Sequence, residues 1–157
     1  MATHDTKAVY KELDLIQGVI KRMAGNSFKV KAWMMSIFGF VVALAKAGIL
    51  NNPDNGKGLP MWYVAIFLMV TVVVFWYLDA FFLRTEKLYR KLYKWVVDNR
   101  PKTDKYLYDL NTFLREYNGE TINMFENLPS TFKVMWSKTL WPFYILPFAL
   151  GVTMLFV

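Results

Sequence analysis

The chain contains no cysteine and a single histidine, His4, in 157 residues. The first absence excludes disulfides, thiolate nucleophiles and cysteine-bound metal. One histidine cannot supply the clustered ligands that a transition metal takes. No serine stands in a nucleophile motif, and the glycines form no phosphate-cradling loop. Scattered carboxylates such as Asp98, Asp104 and Asp109 read as helix caps and surface charge. Neither catalysis nor a metal nor a cofactor is expected. Acidic residues are scarce as well, 12 against 19 Lys and Arg, which leaves a net charge of +7. The opening MATHDTKAVYKELDL lacks the basic-then-apolar layout of a cleaved signal peptide. The first apolar segment is therefore expected to serve as its own insertion signal.

Apolar residues are abundant. Hydrophobic residues make up 55% of the chain and aromatics 18%, too much for a soluble domain of this size to bury. From Leu59 to Leu78 no charge interrupts the sequence. That run is close to the ~20 residues needed to cross ~30 Å of hydrocarbon. Trp33 to Ala45 is also uncharged and reaches Leu50 if Lys46 extends its ammonium toward water. A third run, Leu140 to Val157, carries Pro142 and Pro147, which predict a bent helix. It could span or dip in and return; spanning is the expectation.

Helical periodicity organises the rest. Val9, Leu13, Ile16, Ile20 and Met23 recur at steps of three and four opposite Lys7, Lys11, Asp14 and Lys21. Gly25-Asn26-Ser27 then predicts a kink or hinge, unless the helix runs straight through. NNPDNGKGLP marks an exposed loop between antiparallel helices. Beyond Leu83 the spacing Leu88, Leu92, Trp95 or Val96 continues to Asn99-Arg100-Pro101, where proline ends the helix. Such a helix is about 58 Å long at 1.5 Å per residue, so its last third must project into water. Thr103 or Asp104 is expected to cap a short helix bearing Leu107, Leu110, Leu114 and Tyr117, ended by Gly119.

The expected fold is an all-α membrane protein: a transmembrane helical hairpin with a long second helix projecting into the cytoplasm, plus a C-terminal third apolar helix. Its parts are a cytoplasmic amphipathic helix over 1–31, the hairpin over 32–83, a basic cytoplasmic helical region over 84–138 and a transmembrane segment over 139–157. Six Lys or Arg lie in residues 1–32, two at the hairpin turn and eleven in 84–138. Positive flanks stay inside. This places the N-terminus and residues 84–138 in the cytoplasm.

Three features could carry function. Asp79, at the edge of an apolar run, is costly unless paired or wet. It is either half of an ion pair with Lys29, Lys31 or Arg84, or part of the wall of an aqueous path. Arg84, Lys87, Lys91 and Lys94 share one helix face, with Arg90 beside them and Glu86 placed to pair with Arg90. This is a face solvated near anionic lipid, or an anionic-ligand site to which Arg22, Lys29 and Lys31 also contribute. Tyr89, Tyr93 and Trp95 are interleaved; such rings stack bases, or belong to an interfacial belt or the core. Gly39, Ala43 and Ala47, spaced by four, allow close helix approach, either seating the second span or joining subunits. Seating the second span is the expectation.

RMAGNSFKVKAW (Arg22 to Trp33) and LDAFFLRTEKLYRKLY (Leu78 to Tyr93) together resemble the patterns of SLATT-like small membrane effectors, encoded beside nucleotidyltransferases in bacterial antiphage operons, the Hailong type among them. Lys87 and Tyr89 depart from that pattern, where Arg and Phe are expected, and a third apolar run exceeds a two-span plan. The resemblance implies an oligomeric pore or membrane-disrupting effector in the inner membrane of a bacterium, whose state depends on a nucleotide signal. On this chain the positions involved would be Arg22, Asn26, Ser27, Lys31, Asp79, Glu86 and Arg90. The expected function is thus an ion-conducting homo-oligomer, a tetramer being one candidate, gated by an oligonucleotide or cyclic nucleotide, with a nucleotidyltransferase as operon partner. The alternative is a non-conducting anchor or adaptor that holds a cytoplasmic partner at anionic lipid.

Overall fold

A computed structural model describes residues 6–50, 59–100, 102–103, 105–112, 114–117 and 120–156. The chain is predominantly helical. Helix α1 covers Thr6–Lys46 and α2 covers Met61–Asn99. Strands β1 (Leu114–Tyr117) and β2 (Glu120–Asn123) follow, then α3 (Thr131–Met135) and α4 (Trp141–Thr153). Both α1 and α2 are long and apolar enough to cross a membrane.

Helix α1 runs unbroken through Gly25-Asn26-Ser27, so no helix end falls there. Its 41 residues extend about 62 Å. It ends where Gly48 adopts φ 73°, a left-handed conformation that costs glycine nothing. The Gly48 amide then donates to Ala45 O and the Ile49 amide to Leu44 O, satisfying carbonyls the helix end would orphan. Helix α2 ends at Asn99, two residues before the proline expected to stop it. Pro101, the turn residues 51–58 and His4 lie outside the described residues.

The chain divides into two compact units. Unit 1 comprises Met1–Gly25 and Phe82–Ser130. In its core Ile16 of α1 packs with Leu88, Leu92, Trp95 and Val96 of α2 and with Met124. The α2 positions repeat at i, i+4, i+7 and i+8, one helical face. Arg100 and Glu12 are buried in the same unit.

The helix expected over 103–119 is absent, a correction with an identifiable cause. Tyr106 and Tyr108 have φ of 65° and 59°, which a right-handed helix cannot accommodate. The Arg100 guanidinium takes the carbonyls of Thr103, Lys105 and Tyr106, the acceptors a helix would need. Leu114 and Tyr117 lie in a strand instead. β1 and β2 pair antiparallel with Tyr117 opposite Glu120, leaving Asn118-Gly119 as the connection. That dipeptide is the preferred content of a two-residue hairpin turn; its conformation, like that of Asp104, lies outside the described residues. Residues 84–138 are therefore helical only in part.

Unit 2 comprises Asn26–Phe81 and Thr131–Val157. Met34, Phe38 and Ala45 of α1 are buried, as are Leu68, Val72, Trp76 and Ala80 of α2, spaced by four. Helix α4 begins with proline in its first turn and carries Pro147 inside. Gly151 admits α4 to α2: a Cβ there would lie 2.9 Å from Met69 Cγ. At 13 residues α4 measures about 20 Å, less than the ~30 Å hydrocarbon core.

Candidate functional site

Asp79 is the polar centre of unit 2. Its side chain is 0% exposed. Ser27 Oγ donates to Oδ1, Lys31 Nζ lies 2.5 Å from Oδ2, and Tyr144 OH donates to Oδ2 at 2.9 Å. Lys31 Nζ also donates to Ser27 Oγ at 3.0 Å. Ser27 and Lys31 are one helical turn apart on α1, which puts both side chains on the α2 side. Desolvation of a lone carboxylate would be severe; here a cation and two hydroxyls replace the lost water. Of the partners weighed from sequence, the structure pairs Asp79 with a lysine. Its cation is Lys31. Lys29 is exposed, and Arg84 donates to Pro129 O. Tyr144 extends the cluster to α4. Its ring stacks 5.8 Å from that of Trp76, whose Nε1–H donates to Met135 O at 2.9 Å.

The basic face of α2 is divided. Arg84 Nε donates to Pro129 O at 3.0 Å, with its guanidinium 5.6 Å from the Phe125 ring centroid. Lys91 Nζ donates to Glu126 O at 2.5 Å. These two cations hold the 125–129 segment against α2. Lys87 is half-buried and Lys94 exposed. Arg90 is 64% exposed and pairs with Glu86 through Nε (2.8 Å) and Nη2 (2.7 Å), as the i,i+4 spacing predicts.

Arg90 also lines a cleft of about 380 Å³ in unit 1, together with Gln17, Ile20, Lys21 and Tyr93. Two cations, an amide and an aromatic ring converge there. Its size matches small-ligand sites, ~300–1,000 Å³. Sequence reasoning named Arg90 and Tyr93, placed Lys21 on a polar helix face without a role in a site, and passed over Gln17 and Ile20's part in the lining. The four-residue spacing of Gln17 and Lys21 on the polar side of α1 was the available signal. Arg22 and Lys29 are exposed and outside this cleft.

Gly39, Ala43 and Ala47 are exposed, and an added Cβ at Gly39 meets nothing within 4 Å. The expectation that they seat α2 is corrected: Met34, Phe38 and Ala45 occupy that face. Among the described residues no group of three or more His, Cys, Asp or Glu could hold a metal.

The most fully satisfied polar group is one the sequence reading missed. Arg100 is 1% exposed and directs every N–H at an acceptor. Nε and Nη2 meet the two Glu12 carboxylate oxygens at 2.5 Å each, a bidentate pair. Nη1 donates to Thr103 O and Lys105 O, and Nη2 also to Tyr106 O. Glu12 is 0% exposed. This is a structural clamp, not a ligand site. Comparison with protein-family models, with curated proteins and with solved structures finds no match to this chain.

Proposed function

We propose that the chain is a SLATT-like membrane effector, an ion-conducting homo-oligomer gated by an anionic nucleotide or oligonucleotide in antiphage defence. In this reading α1 and α2 form a transmembrane hairpin, with the N-terminus and unit 1 in the cytoplasm. The observation that carries it is the unit 1 cleft, where Lys21, Arg90, Gln17 and Tyr93 offer charge, hydrogen bonds and a stacking ring together. Lys87 and Lys94 add positive potential on the same helix. One chain has too few spanning helices to enclose a channel, so conduction requires assembly. Gating requires the ligand to prefer one state of the assembly.

Ion flux from dye-loaded liposomes, with and without short oligonucleotides, tests this. The wild type is expected to respond to the oligonucleotide, and Lys21→Glu or Arg90→Glu to lose the response while retaining flux. Absence of flux under every condition would refute conduction.

A second reading, the non-conducting adaptor at anionic lipid, draws on a specific observation. Arg84 and Lys91 are held by Pro129 and Glu126 carbonyls, which withdraws two cations from any ligand face. An adaptor is expected to leave membrane potential unchanged on expression. An ungoverned channel is expected to collapse it.

A further inference from the structure

Among the described residues, the exposed Trp and Tyr side chains of α1 and α2 in unit 2 fall in two groups, with only Phe40 and Phe67 as exposed rings between them. Trp62 and Tyr63, near the start of α2, are about half exposed and stack at 3.7 Å between centroids. The second group surrounds the level of Asp79. It includes Phe28 (72% exposed) and Trp33 (66%) from α1, and Tyr77 and Phe81 from α2. Phe132 (69%) and Trp136 (65%) join from α3 and the turn after it. Three contacts fix α3 at that level: Trp76 Nε1–H to Met135 O, the Trp76–Trp136 rings at 5.2 Å, and the Tyr77–Phe132 rings at 6.0 Å. Ser27, bonded to Asp79, brings Phe28 and Lys29 to the same height.

The two groups are separated by about 28 Å of helix from Trp62 to Phe81. That is the thickness of the ~30 Å hydrocarbon core, at whose edges Trp and Tyr concentrate. Exposed cations accompany the rings on the Asp79 side. Lys29 follows Phe28 directly, and Lys138 lies two residues beyond Trp136; both are exposed.

We propose that this collar is a binding surface for anionic phospholipid headgroups, with Lys29 and Lys138 on the phosphates and Phe132 and Trp136 seated among the acyl-chain ends. The proposal rests on the membrane reading above. It assigns the headgroup contact to unit 2 and not to the basic face of α2. The segment 131–140 is then an interfacial foot. Its rings hold depth, and Lys138 supplies headgroup preference. Each lysine near such a surface contributes about fivefold in lipid preference, the equivalent of ~1 kcal/mol.

The absence of cysteine permits a direct test on the full chain. Thr139→Cys, labelled with a fluorophore, is reconstituted in phosphatidylcholine vesicles containing spin-labelled phosphatidylglycerol or spin-labelled phosphatidylcholine at equal mole fraction. The anionic lipid is expected to quench several-fold more efficiently. Lys29→Glu combined with Lys138→Glu is expected to bring the ratio to about one, and Lys138→Gln alone to lower it by up to about fivefold. Lys87→Glu with Lys94→Glu is expected to leave it unchanged. A ratio near one in the starting protein overturns the proposal, as does a ratio lost in the Lys87/Lys94 variant but kept in the Lys29/Lys138 variant. Absence of quenching by either lipid overturns the membrane reading itself.

Discussion

Replacing Glu12 by Gln tests how far unit 1 depends on one buried ion pair. In the native chain the Arg100 guanidinium makes two 2.5 Å contacts to Glu12 and three to the carbonyls of Thr103, Lys105 and Tyr106. A glutamine side chain at this position would keep one acceptor oxygen, lose the charge and place an amide donor against a donor. The arginine would remain buried with no counter-ion. Breaking a buried pair from one side costs about 3–5 kcal/mol. At about 1.4 kcal/mol per decade, even the lower bound favours local opening by about a hundredfold. The assay is amide hydrogen exchange on the full chain in lipid nanodiscs, read over residues 102–112. Glu12→Gln is expected to accelerate exchange there by about two decades, with α4 unchanged. Arg100→Lys is expected to do nearly the same, because an ammonium has three donors and no fork. If both variants exchange as the wild type does, the clamp is not what orders this segment.

Other consequences follow from unit 2. Tyr144→Phe removes one hydrogen bond to Asp79 and is expected to lower thermal stability by about 1 kcal/mol; Asp79→Asn should cost more, though less than Glu12→Gln because Lys31 is a quarter exposed and can reach water. Gly151→Leu is expected to detach α4 from α2, since even a Cβ meets Met69 at 2.9 Å; proteolysis of the C-terminal segment would report it, and an unchanged digestion pattern would count against this contact. Gly18 lies exposed within α1 with open space around it, so Gly18→Ala is expected to stabilise by about 0.5–1 kcal/mol in a melting curve.

The long elements were legible because their causes are local. Unbroken apolar length and a proline at 101 bound α2, and Glu86 pairs with Arg90 at the spacing one turn dictates. Asp79 declared its need for a partner but not the partner's identity. Lys29 and Lys31 stand two residues apart, and the choice between them depends on the rotation of α1 about its axis. Tyr144, 65 residues away, left no local trace. The same rotation turned Gly39, Ala43 and Ala47 outward, since spacing alone fixes a stripe but not its direction. Residues 103–119 show a different failure. The apolar steps 107, 110, 114 and 117 imitate a helix, while Asn118-Gly119 is a hairpin signal of greater specificity. Turn chemistry prevailed because Arg100 draws three carbonyls of the preceding segment to itself.

Arg100 also changes how the basic composition should be understood. Proline at 101 made Arg100 look like punctuation, and Glu12 was passed over between Val9 and Ile16, although a carboxylate on an apolar stripe itself signals a buried partner. The cations committed within the chain include Arg100 to Glu12, Lys31 to Asp79, Arg90 to Glu86, and Arg84 and Lys91 to backbone carbonyls. Net positive charge therefore overstates what any ligand could meet. The face read as one row of five separates into two that secure the 125–129 segment, one that lines a cleft while paired to Glu86, and Lys87 and Lys94. In the proposed reading, attraction to a polyanion would then depend on Arg90 and Lys21 acting together across the cleft. With so few cations engaged, binding at this site should weaken only gently with added salt, the slope scaling with the number of phosphates neutralised. A steep salt dependence would instead require cations gathered from several subunits.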